Sequence, residues 1–454
     1  MRPCLATILG LALLGCSSAP PPTPPLAPDA AVAPPKPSPP RFIDDDFAGS
    51  LARAKAEGKA LFVDAWAPWC HSCLSMKQVV LGEPALGALS DRVVFAAIDV
   101  DRPEAAAFLE KYPAKTLPAF LVIDPASGSV LGRWEGSASL REARAFIEES
   151  LARGRGGADD PASRAFAEAR ALHAAGELAG AAGAYERAIT AAPASWPSRS
   201  AALVGWIGAL SGARSWSACA RVGAAHALEV RGSAAPADFA ATLLSCVEHL
   251  PADALAVSAR RAAITSLRAH TASPPADASD DDRQDALGLL AEALESVGDA
   301  PGARRAQEDR LILLERAVKA ARSAESAHTH DYGRALTYVA LGRGDEAVRM
   351  LEQRERELPG AYEPPARLAG VLFKMGKLVE ARAAVKRAIV RSYGPRRLRY
   401  LELEARILGE LGDRAARIEA LREEVKGWES LPPGQASPER TADARRRLSE
   451  ATAH

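Results

Sequence analysis

The chain has 454 residues, enough for two to four domains, and its 57 Lys and Arg residues balance its 57 Asp and Glu residues. This neutral balance, with no basic stripe interleaved with aromatic residues, argues against nucleic acid as a partner. Aromatic residues make up only 5% of the chain, and alanine is abundant after about residue 155. The composition therefore favours closely packed helices over most of the length.

The first residues have the pattern of a secretion signal. Arg2 precedes an apolar run over 5–14, which is too short to cross a bilayer because a spanning helix needs about 20 residues. The run ends in LLGC at Cys16 and resembles the lipobox of bacterial lipoproteins. That resemblance implies that 1–15 is a signal peptide, that Cys16 carries lipid and that the chain is anchored at the periplasmic face of the cell envelope. Ser17 favours the outer over the inner membrane, and the alternative is an ordinary signal peptide that is cut nearby.

A proline-rich segment follows the lipobox. Residues 16–40 include PPPTPPLAP and PPKPSPP, and they have almost nothing to bury in a core. Such a segment is predicted to be an extended tether that holds a domain up to roughly 70 Å from its anchor. We predict two folded regions beyond it, at 41–156 and 157–454.

The first folded region alternates between helical and strand patterns. The predicted order is a helix at 47–60, a strand at 60–66, a helix from Cys70 to about Val80, a strand at 92–101, a helix at 103–112, a hairpin at 118–136 and a helix at 139–154. This order predicts an α/β domain with helices around a mixed sheet.

Two cysteines lie at the predicted start of the second helix, in the stretch VDAWAPWCHSC. The thiolate is the form that attacks a disulfide, and the unpaired N–H groups and dipole at a helix start favour a negative sulfur. Cys70 is therefore the predicted attacking sulfur, with a pKa below the ordinary value of about 8.5. Cys73 lies one helical turn further on the same face, where it can resolve a mixed disulfide on Cys70.

Two other roles for this cysteine pair remain open. A structural disulfide is one, although it would not need an aspartate and a tryptophan beside it. Half of a zinc site is the other, and zinc takes about four ligands. Because the sequence has no second CxxC and no HxxxH nearby, we predict no metal here.

These residues resemble the thioredoxin superfamily. The resemblance rests on VDAWAPWCHSC and on Thr116-Leu117-Pro118, covers about 110 residues, and is strongest for the C-terminal domain of the DsbD type and for thioredoxin-like lipoproteins. It implies that Asp64 is a buried aspartate that helps to deprotonate Cys73, and the alternative is that Asp64 simply ends a strand. It also implies that Pro118 is a cis-proline whose neighbouring backbone pairs with a client strand. No cofactor is implied.

The resemblance further implies that Trp69 and Leu117 contact a client. His71 is expected to be exposed to solvent, where it contacts a client and, when protonated, stabilises the Cys70 thiolate. Packing is the alternative role for Trp69. The sequence departs from thioredoxins in having Leu74 where a lysine usually follows the second cysteine, and the strand VVFAAID lacks the lysine that often pairs with the buried aspartate.

The second folded region reads as one helix after another, separated by Pro- and Gly-rich breaks. A frame of small and large residues recurs around five glycines in the spacing of tetratricopeptide repeats: Gly176, Gly298, Gly342, Gly376 and Gly412. Gly342 and Gly376 are 34 residues apart, which is the period of that repeat. The resemblance predicts an all-α solenoid that binds a protein or peptide, and the alternative is an alanine-rich helical domain without a groove.

Cys219 and Cys246 both lie in predicted helices, and the segment between them breaks near Gly232. Antiparallel helices joined in this way place the two sulfurs side by side, so we predict a structural disulfide. Two buried free thiols are the alternative.

Together these features predict a multidomain protein, an α/β thioredoxin-like domain followed by a helical solenoid of tetratricopeptide type. The expected function is that of a lipid-anchored thiol–disulfide oxidoreductase of the reductase or isomerase type. Its clients are protein thiols and disulfides, its electron donor is not identified by the sequence, and its helical region binds a partner. The alternatives are a non-catalytic envelope scaffold and a holdase for unfolded envelope chains.

Overall fold

A computed structural model describes residues 38–154 and 160–453 of the protein. The predicted signal peptide, Cys16 and the tether up to residue 37 lie outside the described residues. The N-terminal part contains a five-stranded mixed sheet whose strands are β1 (Phe42–Asp44), β2 (Ala60–Trp66), β3 (Val93–Asp99), β4 (Ala119–Ile123) and β5 (Val130–Glu135). Their order is β1-β3-β2-β4-β5, with β2 parallel to β3 and antiparallel to β4.

Both faces of the central strand β2 are buried, which explains why its sequence is apolar apart from Asp64. Leu61 and Val63 point into one core cluster, whereas Phe62 points into the cluster on the opposite face. Successive side chains of a strand point to opposite faces of its sheet, so a strand covered on both sides has no polar alternation.

Helices cover both faces of this sheet. They are α1 (Phe47–Glu57), α2 (His71–Met76) with a π-helical turn (Lys77–Leu81), α3 (Pro84–Gly87), a 3-10 turn (Pro103–Ala105), α4 (Ala106–Lys111) and α5 (Leu140–Gly154). The predicted α/β fold is confirmed, but the prediction missed β1. This strand has only three residues, and it forms because Phe42 pairs with Phe95 on the neighbouring strand β3.

The C-terminal part is helical throughout the residues that the structure describes. Its helices are α6 (Pro161–Ala175), α7 (Leu178–Ala191), α8 (Arg199–Gly212), α9 (Trp216–His226), α10 (Ala235–Glu248), α11 (Ala254–Ala272), α12 (Asp280–Glu295), α13 (Ala300–Ala320), α14 (Ala324–His328), α15 (Asp331–Ala340), α16 (Gly344–Glu357), α17 (Glu363–Lys374), α18 (Leu378–Arg391), α19 (Gly394–Glu410), α20 (Arg414–Ser430) and α21 (Pro438–Ala453). The predicted helical repeat architecture is confirmed.

The five glycines of the predicted repeat frame all lie in the turn between two paired helices. Each has a positive φ, between 72° at Gly376 and 81° at Gly176, a conformation that glycine adopts without steric cost. The small residues of the frame are buried where the helices of a pair meet. Ala369, Ala381 and Ala388, for example, are fully buried.

A disulfide links α9 to α10. Cys219 and Cys246 are both fully buried, and their Cα atoms are 6.3 Å apart. The bond closes a loop of 27 residues, which stabilises the folded chain by roughly 3–4 kcal/mol in the chain-entropy description. It therefore fixes the first half of the helical region around a covalent link.

Candidate redox site

The CxxC motif lies where β2 has ended and α2 begins. Cys70 caps the N-terminus of α2, and its sulfur accepts a hydrogen bond from the backbone N–H of Cys73 at 3.1 Å. The two cysteines form a disulfide, with their Cα atoms 5.2 Å apart. The π-helical turn follows α2 directly, so the peptide dipoles of both segments favour negative charge at Cys70. This is the position that the sequence predicts for an attacking sulfur.

The loop before β4 reaches the same place. Leu117 packs against the small apolar cluster that contains both cysteines, and the Leu117–Pro118 peptide bond is cis. The carbonyl of Pro118 accepts a hydrogen bond from the N–H of Gly136 at 2.9 Å, which fixes this loop to the end of β5. The structure thus brings Leu117 and Pro118 to the CxxC motif, and their roles toward a client stay predictions.

Asp64 is a buried carboxyl group on β2, with only 1% of its surface exposed. Neither of its carboxylate oxygens has a hydrogen-bond partner among the described residues. Burial raises the pKa of Asp64 to about 7, although the cation of Lys77 acts in the opposite direction. A carboxyl group of this kind exchanges a proton near neutral pH, which is the property that the predicted acid–base role requires.

Lys77 is a basic neighbour of Asp64 that the sequence prediction missed. The prediction looked for a basic partner of Asp64 on the next strand, whereas the structure supplies it from the π-helical turn after α2. The Nζ atom of Lys77 lies 3.0 Å from the centroid of the Trp66 ring. Lys77 follows Cys70 by seven residues, or two helical turns, so helical periodicity carried the signal that would have located it.

His71 is less exposed than the sequence prediction expects, because the helical region covers it. Its Nδ1 atom lies 3.0 Å from Oδ1 of Asp281 on α12, and its ring stacks on Tyr332 of α15 with the centroids 5.2 Å apart. Burial opposes a charge on His71, but the carboxylates of Asp281 and Asp285 outweigh it and raise the pKa of His71 to about 9. His71 is therefore protonated at neutral pH, and its charge is directed at two carboxylates of the same chain.

Trp69 also contacts the chain's own residues. Its Nε1–H donates a hydrogen bond of 2.6 Å to Asp101, and the guanidinium carbon of Arg396 on α19 lies 3.9 Å from the ring centroid. The structure therefore gives Trp69 a packing partner in the helical region, which was the alternative role for this residue. Its contact with a client stays a prediction.

Further contacts surround the CxxC motif on both sides. Tyr393 donates a hydrogen bond to Asp99, and Gln435 donates to the carbonyl oxygens of Val100 and Arg102. Only 6% of Cys70 and 1% of Cys73 is exposed, in a cluster with Ala67 of their own domain against which Leu117 packs. The expectation of an attacking sulfur that is open to visiting proteins is corrected for this disulfide form, because the sulfur is buried in its own domain and α12, α15 and α19 contact the neighbouring residues His71 and Trp69.

His71, Asp281 and Asp285 form the one group among the described residues whose geometry suits a metal ion. Their ligand atoms lie within 4.8 Å of one another. The 3.0 Å separation of Nδ1 of His71 and Oδ1 of Asp281 is also that of an ion pair. Burial raises the pKa of Asp285 to about 7, with Asp281 adding to the effect.

Comparison with known proteins identifies the N-terminal part. The family model for thioredoxin-like proteins matches residues 42–125. These residues form a thioredoxin-like domain. The thiol:disulfide interchange protein DsbD of Pseudomonas fluorescens is 33% identical to this chain over 82 residues. The match covers 18% of this chain and only 14% of that protein, so the chain spans a small part of its curated relative.

Solved structures of tetratricopeptide repeat proteins are similar to the helical part. One from Parabacteroides merdae is 14% identical and covers 64% of this chain and 99% of its own, with a TM-score of 0.40. A thermophilic protein of this type from Thermus thermophilus is 16% identical and covers 47% of this chain and 100% of its own, with a TM-score of 0.30. The helix pairs and glycine turns of this chain themselves show its repeat architecture.

Within 38–154 and 160–453, no helix has both the length and the apolar character that crossing a bilayer requires.

Proposed function

We propose that the protein is a thiol–disulfide oxidoreductase that acts on protein disulfides in the reductase or isomerase direction. One observation carries this proposal: Cys70 and Cys73 lie at the start of α2, with the cis peptide bond before Pro118 and a buried, partly protonated Asp64 in the same domain. A purely structural disulfide would need neither of these features. The likeness of this domain to part of DsbD supports the same chemistry.

In the reducing direction, the Cys70 thiolate attacks one sulfur of a client disulfide. The client S–S bond breaks, a mixed disulfide forms on Cys70, and the released client thiolate takes up a proton. The Cys73 thiolate then attacks the Cys70 sulfur and releases the second client thiol. The client has gained two electrons and two protons, and the Cys70–Cys73 disulfide has formed. A dithiol donor must reduce that disulfide before the next cycle.

We propose that this activity is located in the cell envelope. The lipobox ending at Cys16 supports a lipid anchor, and the proline-rich tether supports reach away from the membrane. Ser17 supports the outer membrane. The helical domain then contributes contacts to protein partners.

Replacing Cys73 by alanine tests the proposal, because it removes the resolving sulfur and leaves the attacking one. The reduced Cys73→Ala variant is expected to accumulate as a mixed disulfide when it is mixed with a peptide disulfide, since the second step cannot occur. Non-reducing electrophoresis and mass spectrometry would show an adduct on Cys70 that dithiothreitol removes. The Cys70→Ser/Cys73→Ala variant is the control and should form none, and equal adduct in both variants would refute the assignment.

A non-catalytic scaffold is the second candidate. The low exposure of Cys70 under the helical domain favours it. In that case the thioredoxin-like domain serves as a folded adaptor, and the Cys73→Ala variant forms no adduct.

A further inference from the structure

The helical domain contacts His71 and Trp69, the residues on the C-terminal and the N-terminal side of Cys70. On one side, Asp281 pairs with His71, and Gln78 donates a hydrogen bond to Thr329 at 2.7 Å. On the other side, Arg396 stacks on Trp69. A folded protein that approaches the motif from either of these sides meets the chain's own helices first.

At two positions the backbones of the two domains lie so close together that no side chain fits between them. A Cβ atom on Gly394, at the start of α19, would overlap the carbonyl oxygen of Asp101. A Cβ atom on Gly434 would overlap the carbonyl oxygen of Ala106, the first residue of α4. Only glycine permits such separations, so side chains are missing where the two domains meet most closely.

A cleft remains between the two domains beside the cis peptide bond. It has a volume of about 740 Å³ and is open to solvent. Ser72 and the Thr116–Pro118 loop form its wall on the thioredoxin-like domain. Ser72 lies between the two cysteines in sequence and Leu117 packs against their apolar cluster, so the cleft ends beside the redox pair, although neither cysteine lines it.

The helical domain supplies the opposite wall of this cleft. Arg170 and Tyr185, from the first helix pair, line it together with Asp238 of α10 and Asp285 of α12. Groups of both charge signs alternate with apolar surface, which suits the mixed character of an unfolded polypeptide. The volume lies in the range of about 300–1,000 Å³ typical of sites for small molecules and short segments, far below that of a folded domain.

We propose that the helical domain selects the clients of the redox site: it admits a disulfide carried in an extended polypeptide segment through this cleft and excludes the surfaces of folded proteins. The inference rests on the proposed oxidoreductase function and adds the class of substrate. The helical wall of the cleft, and the contacts of Asp281 with His71 and of Arg396 with Trp69, then act as specificity determinants rather than as catalytic groups.

The test measures how fast dithiothreitol reduces two disulfide substrates when the full chain is present as the catalyst. One is a short fluorogenic peptide with an internal disulfide, and the other is a small folded protein with a solvent-exposed disulfide. The rate with the peptide is divided by the rate with the folded protein. Dividing this ratio by the same ratio for dithiothreitol alone corrects for the intrinsic reactivity of each disulfide. The native chain should favour the peptide by about tenfold or more, the factor that corresponds to the loss of about 1.4 kcal/mol of binding.

Variants that weaken the contacts of the helical domain with Trp69 and His71 should lower the preference for the peptide. Arg396→Ala removes the group stacked on Trp69, and Asp281→Asn removes the partner of His71 on the other side. Each is expected to raise the rate with the folded client several-fold relative to the rate with the peptide. Asp345→Asn is the matched control, because it removes an aspartate of the helical domain that pairs with Lys377 and is 69% exposed.

Filling the cleft gives an independent readout that does not depend on opening the domain contact. Ala241 of α10 lines the cleft, and Ala241→Trp is expected to lower the peptide rate several-fold while the small hydroxyethyl disulfide still reacts. An unchanged peptide rate in Ala241→Trp, or a native chain whose rate ratio equals that of dithiothreitol alone, would overturn the inference. If neither the native chain nor any variant accelerates reduction of the peptide, the result would instead refute the proposed oxidoreductase function and the inference with it.

Discussion

Cys70→Ser is expected to reduce the turnover of a peptide disulfide to the background rate of dithiothreitol alone. The attacking group must be a thiolate, and a serine hydroxyl does not ionise near neutral pH. The remaining Cys73 is only 1% exposed and lies a turn further into the helix, where a client sulfur has little access to it. The measurement is the rate of peptide reduction at pH 7.5 with a fixed concentration of dithiothreitol.

The control for this result is the double variant Cys219→Ser/Cys246→Ser. It also removes one disulfide of the chain, but from the link between α9 and α10 rather than from the CxxC motif. We expect its turnover to stay close to that of the native chain at temperatures where circular dichroism shows it folded. If Cys70→Ser turns over the peptide as fast as the native chain, the scaffold function replaces the oxidoreductase function.

Asp64→Asn is expected to stabilise the folded chain, and the gain should increase with pH. The pKa of Asp64 is about 7 in the folded state, against an ordinary value of 3.8, because burial disfavours its charge. Stability from the neutral carboxyl is therefore fully present below pH 3.8 and is lost as the pH rises through 7. A shift of about three pKa units corresponds to roughly 4 kcal/mol at pH 8, and the gain should be below about 1 kcal/mol at pH 4.

Urea unfolding of the two chains at pH 4 and pH 8 measures this gain. Asp91→Asn is the control, because Asp91 belongs to the same domain and its side chain is 73% exposed. Its substitution should change the free energy of unfolding by less than about 0.5 kcal/mol at both pH values. A gain for Asp64→Asn that is equal at the two pH values would show that folding leaves the pKa of Asp64 unshifted, and a loss at pH 8 would show that the folded chain stabilises the ionised carboxylate.

The sequence alone predicts the fold well where local pattern decides the structure. The largely apolar run of β2, the five glycine turns and the buried small residues of the helix pairs all follow from periodicity and from the steric freedom of glycine. β1 escaped prediction because it is three residues long and depends on pairing with β3, which lies about 50 residues away in sequence. The same periodicity argument could have located Lys77, but the prediction looked for the basic partner of Asp64 on a strand.

The surroundings of the CxxC motif could not be predicted in this way. His71 pairs with Asp281, which lies 210 residues further along the chain, and Tyr393 bonds to Asp99 across 294 residues. No local pattern encodes such contacts, because they depend on how two separately recognisable domains pack together. The sequence therefore located the reactive pair but expected it to be open, whereas the structure surrounds it with helices.

The most direct test of the redox assignment is the pH dependence of alkylation of Cys70 in the reduced protein. Iodoacetamide reacts with the thiolate, so its rate constant against pH gives the pKa of the attacking sulfur, and the Cys73→Ala variant isolates the signal of Cys70. The position of Cys70 at the start of α2 predicts a midpoint below about pH 7.5. A midpoint near 8.5, the ordinary value for cysteine, would contradict an activated sulfur at this helix and leave an adaptor domain in its place.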